Sequence, residues 1–181
     1  TAVPFDERLE AIDWLVTRGR VVFLRFAVRA LTQSVKHDPF RMHVDEPTDA
    51  TREPEWRPAN DQEELACVHV ALQRLREIAA AAPADLQADL LEATRYGAMR
   101  LRHSATRSIV ADLFLTIRRA LPSAQETLRG QVAELLDRET RLWQELEPMD
   151  LAPIESLHAE LEDPSLLGRI RQWVGSFPWD V

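Results

Sequence analysis

The chain has 181 residues, a formal net charge of −8 and a single cysteine, Cys67. A chain of this length buries about 70% of its unfolded surface in one core, so it needs neither disulfides nor a structural metal to fold, and one thiol excludes an internal bridge. The acid excess argues against nonspecific nucleic-acid binding by the surface as a whole.

The opening residues, TAVPFDERLEAIDW, lack the basic start and long apolar run of a secretory signal. The run from Val21 to Leu31 is 11 residues long and carries Arg25 and Arg29, well short of the ~20 apolar residues that cross a bilayer. With Cys67 as the one thiol, these features point to the cytoplasm and away from a membrane.

From Asp6 to Lys36 the pattern predicts one continuous helix, about 46 Å long at 1.5 Å per residue. Asp6 is the expected N-cap, with Glu7 and Glu10 where the positive end of the helix dipole favours acids. One apolar track runs through Leu9, Ile12, Val16, Gly19, Phe23, Phe26 and Ala30. A second runs through Val21, Leu24, Val28, Leu31 and Val35. A helix apolar on two faces wants neighbours on both, so this rod is expected at the centre of a bundle. Arg18, Arg25, Arg29 and Lys36 follow one flank at spacings of 7, 4 and 7 and must reach an acid, water or a partner. Gly19 marks a bend or a close helix contact.

His37, Asp38 and Pro39 end the periodicity. Residues 38–60 then hold Pro39, Pro47, Pro54 and Pro58 with a surplus of acids, and read as one long loop that Trp56 would anchor. A second helix opens at Asn60 or Asp61 and carries Leu65, Val68, Leu72, Leu75, Ala79 and Ala82 on a coiled-coil-like seam up to Pro83. Residues 85–121 read as one long helix or two joined by a kink near His103 and Ser104, with small residues Ala93, Gly97 and Ala98 suited to close packing. Ser123 and Glu126 have capping-box spacing. The helix after them carries Leu128, Val132, Leu135, Leu142 and Leu146, with Glu139 in a seam position. Short helices are expected over 154–161 and 165–174. An aromatic tail over 175–181 closes the chain. The whole reads as one all-α domain, a bundle of five to seven helices around the long N-terminal one.

Chemistry is harder to find. Glu155 and His158 have the E-x-x-H spacing of di-iron bundles, but one such pair on a short helix reads as surface. His37, His43 and Asp45 lack a regular zinc spacing. His69 sits at the edge of a seam without a nameable partner. No nucleophile elbow, phosphate loop or dinucleotide fingerprint occurs, no catalytic residue, cofactor or metal is called for, and no motif is specific enough to place the chain in a family.

Charge is the clearest remaining signal. Residues 93–121 carry six arginines against one acid, and Arg95, Arg100, Arg102 and Arg107 lie in a stretch without any acid. These four are expected to grip an acidic or phosphate-bearing partner, or else to neutralise Glu64, Glu77, Asp137 and Glu139 inside the bundle. Trp173, Phe177 and Trp179 are expected to dock an apolar partner. The sequence thus reads as a noncatalytic interaction module or accessory subunit of a larger bacterial-type assembly, binding another subunit or a second copy. A nucleic-acid-binding subunit using the same arginines is the second reading, and a metal- or ligand-binding bundle the third.

Overall fold

The computed structural model describes residues 4–36, 58–143 and 150–162, with backbone alone at 142 and 143. These residues form α1 (Phe5–Thr17), α2 (Val21–Val35), α3 (Asp61–Ala80), α4 (Gln87–Met99), α5 (Ser104–Ala120), α6 (Gln125–Arg138) and α7 (Ala152–Glu160), and no strand. The expected all-α bundle is what the seams build.

The single rod is not. Gly19 takes the left-handed conformation, φ +63°, which glycine enters without a Cβ penalty. Tight bonds from Arg18 N–H to Leu15 O and from Gly19 N–H to Val16 O close α1, and extended Arg20 opens α2. The rod becomes a hairpin. Only Ile12 of α1 is buried, and α1 packs mainly on α2.

The centre belongs instead to α3 and α5, the most closely packed pair, with α2 on α3 and α4, α6 on α4, and α7 on α6. Val28, Leu31, Leu72, Leu75, Leu90, Val110, Leu113, Phe114, Ile117 and Leu128 fill the space between them. Each such side chain contributes about 1.5–3 kcal/mol of apolar burial. On α3 the predicted seam holds, with Val68, Leu72, Leu75 and Ala79 buried and Leu65 and Ala82 half-buried at its ends.

Residues 85–121 divide. Helix α4 ends in a 3-10 turn over Arg100–Arg102, and α5 starts after extended His103. The chain doubles back, so that a Cβ added at Gly97 would lie 3.9 Å from both Val110 Cγ1 and Leu72 Cδ2. The small residues Ala93, Gly97 and Ala98 do face the core.

Helix starts follow local hydrogen bonding rather than the capping residues read from spacing alone. Helix α3 starts at Asp61, within the expected bounds, and Asn60 caps it, its Oδ1 accepting from Glu63 N–H at 2.9 Å while Glu63 Oε2 accepts from Ala59 N–H at 2.6 Å. The Ser123–Glu126 box does not form. Pro122 starts a 3-10 turn that moves the N-cap to Ala124, and the Ser123 hydroxyl donates to Gln87 Oε1 instead. Asp6 likewise lies inside the first turn of α1, after Pro4. The loop over 38–60, up to Trp56, and the helix expected over 165–174 lie outside the described residues.

Candidate functional site

The arginines that sequence charge had grouped are divided by the fold. Arg100 is 2% exposed. Its Nε–H donates to Val35 O at 3.1 Å, at the C-terminal end of α2, and its Nη2 pairs with Glu64 at 3.0 Å in the first turn of α3. A guanidinium suits this place because its planar fork serves two acceptors in different directions. Arg102 pairs at 3.1 Å with Glu139, which is buried in the π-helical turn Glu139–Trp143. Arg107 donates to Leu101 O at 2.9 Å and to Arg102 O at 3.4 Å, and the Thr106 hydroxyl donates to Arg100 O at 2.7 Å. These bonds satisfy carbonyls left over where α4 ends. Arg95 alone of the four is exposed. The pairing with Glu64 and Glu139 is the internal neutralisation that the charge pattern also allowed, and the four do not form one outward surface.

The flank of α2 is also spoken for. Arg25 and Arg29 clamp the buried carboxylate of Asp89 from two sides, at 3.0 and 2.7 Å, and Arg25 also donates to Asp85 O. Lys36 lies 4.4 Å above the Tyr96 ring. Two of these side chains tie α2 to α4 through one acid.

Among the described residues, a face of the α1–α2 hairpin is left open. In α2 the second apolar track is buried through Val28, Leu31 and Val35, whereas Val22, Phe26 and Ala30 of the other side point outward. Trp14, Val22 and Phe26 are 53%, 48% and 60% exposed. The Trp14 and Phe23 rings lie 6.2 Å apart, which joins the two helices into one patch. Arg18 sits 4.6 Å above Trp14 and Arg20 5.6 Å above Phe23. Aromatic rings with stacked guanidinium groups, large in contact area and restrained in rotamer, are the chemistry of interface anchors.

No family model matches the chain, and neither a curated protein nor a solved structure is similar to it. Function is therefore argued from the geometry.

Sequence reasoning placed Phe26 and Ala30 toward a neighbouring helix. The signal for the open face was present, two apolar tracks on one helix, but periodicity does not say whether the neighbour is in the same chain. Trp14 lay between the tracks and was missed. Trp173, Phe177 and Trp179 lie outside the described residues, as do His37, His43 and Asp45.

The other polar features are less organised. His69 and Glu155 are exposed, and no three histidine, cysteine or acidic residues among the described ones are grouped to hold a metal ion. Burial pushes the His158 imidazole below its ordinary pKa, the nearby Arg129 charge adds to this and Glu162 opposes it. Burial and the carboxylates of Glu63 and Asp6 push the Cys67 thiol up, away from reactive thiolate. An open cleft of about 370 Å³ between α3 and α5 is lined by Arg76, Glu77, Asp112 and Arg119, and Arg76 already pairs with Asp112 across it. No helix among the described residues is long and apolar enough to cross a membrane.

Proposed function

We propose that the protein is an interaction module, a subunit that joins other protein through the outer face of its α1–α2 hairpin. The observation that carries this reading is α2 itself, apolar on two sides and, among the described residues, covered on one, with Val22 and Phe26 exposed and the exposed ring of Trp14 set against its Phe23. Isolated exposed hydrophobics are ordinary; a contiguous set with aromatic anchors marks an interaction surface. A cytoplasmic setting and a place in a larger assembly accord with this reading.

The basic residues from Arg95 to Arg107 take a smaller part in it. Arg100 and Arg102 spend their charge on Glu64 and Glu139, which leaves Arg95 as the outward cation of the group and weakens the nucleic-acid alternative. The tail aromatics Trp173, Phe177 and Trp179 remain a proposed second contact.

The test is affinity purification of the tagged protein from its native cell, with and without nuclease, read by native mass spectrometry beside Trp14→Ala and Phe26→Ser. A stoichiometric, nuclease-resistant complex lost in both variants, with helicity unchanged, is the expected result. A complex indifferent to both substitutions, or a strictly monomeric protein, overturns it.

A further inference from the structure

We infer that the partner seated on this face is a second copy of the chain, related by a two-fold axis beside Trp14, with the two α1 helices antiparallel. This inference rests on the reading of the hairpin face as an interface and names its occupant.

The reason is the order of charges along α1. At 100° per residue, Glu7, Glu10 and Arg18 all fall within about 40° of the direction of Trp14, and Ile12 points the opposite way. The burial pattern agrees, since Glu7, Glu10, Trp14 and Arg18 are exposed and Ile12 is buried. Along this stripe two acids, Glu7 and Glu10, precede the aromatic ring and Arg18 follows it at the end of α1, before the chain reverses at Gly19. Glu10 and Arg18 each lie four residues, roughly 6 Å, from Trp14.

A two-fold interface is self-complementary, each residue meeting across the axis a position displaced by the same amount on the other side. Antiparallel pairing centred on Trp14 therefore sets Glu10 against Arg18, twice over, with ring against ring in the middle. Parallel pairing would set acid on acid. Glu10 and Arg18 cancel across the axis, which offsets part of the self-repulsion of a chain carrying −8 overall. A heterologous partner would need no such symmetry about Trp14.

The contact is a modest one. The hairpin face is roughly 20 Å long and, at ~10 Å per helix, roughly 20 Å wide, so it covers less than the ~800 Å² per partner of a standard interface. A contact of this size belongs with weak, transient interfaces.

Sedimentation velocity of the full chain over a micromolar concentration series tests this with Glu10→Arg and Arg18→Glu. Each variant alone places like charges across the axis and is expected to weaken self-association at least about ten-fold. Mixed, the two restore both pairs, because the arginine introduced at position 10 of one chain meets the glutamate introduced at position 18 of the other, and a heterodimer of near wild-type affinity is expected. A wild-type protein that stays monomeric, or variants that fail to recover on mixing, overturns the second copy. The wider reading is separable, because a heterologous complex lost in Trp14→Ala and Phe26→Ser would survive that outcome, whereas a monomer with no complex sinks both.

Discussion

Arg100 and Val35 stand 65 positions apart, and the Arg100 Nε–H donates to the Val35 carbonyl in a buried bond of 3.1 Å. With the Glu64 pair, this one guanidinium holds the end of α2, the start of α3 and the α4–α5 corner together. Arg100→Met removes the donor and leaves a buried carbonyl unpaired, so a loss of about 2–4 kcal/mol is expected in urea unfolding. Glu64 reaches solvent, so Glu64→Gln, which keeps an acceptor, should cost only about 1 kcal/mol.

Asp89 answers to two arginines, and the asymmetry of burial sets the effect of each change. Asp89 is buried while Arg25 and Arg29 extend toward solvent. Freed arginines return to water, but a buried carboxylate with one partner lost keeps the other. Asp89→Ala is therefore expected to cost about 2 kcal/mol, and Arg29→Ala about 1 kcal/mol. Equal losses in chemical denaturation would show that the clamp does not act through the acid.

Two glycines should respond to alanine with opposite signs. Gly19 has φ +63° and Gly130 lies inside α6, and an added Cβ meets nothing within 4 Å at either. Space is equal, so backbone conformation decides. Gly19→Ala should destabilise by about 1–2 kcal/mol, and Gly130→Ala should stabilise by roughly 0.5–1 kcal/mol. Melting temperatures of the two variants give the comparison directly.

His158 makes stability depend on pH. Its folded-state pKa is lowered, first by burial and then by Arg129, against the opposing pull of Glu162. Below an ordinary value near 6.5 the unfolded chain takes up this proton more readily than the native one, so stability falls as pH drops through that value toward the folded pKa. His158→Gln should flatten this part of the profile. An unchanged slope below about pH 6.5 would assign the acid sensitivity elsewhere.

Most helices were legible because core-facing residues recur every three or four positions and prolines bound them, as in α3 from Asn60 to Pro83. The break at Gly19 was not, since the apolar period runs through it and one glycine permits a reversal without requiring it. Nor does a spacing show competition: Ser123 has a capping partner in Glu126, but Pro122 starts its own turn first. Arginine type and position likewise do not say which way a side chain turns. Arg100 points inward because Val35 O and Glu64 converge there, and those residues are brought together only by the packing of α2, α3 and α4. The open side of α2 was visible as apolar sequence, and its lack of a neighbour among the described residues only as structure.

The measurement that bears most directly on the interaction face is photo-crosslinking in the native cell, with benzoylphenylalanine replacing Phe26 in one protein and Glu134, exposed on α6, in another. Strong adducts from position 26, to a second copy or to another protein, and few from 134 are predicted. No adduct at 26, or equal yields from both positions, would contradict an interface on the α1–α2 hairpin.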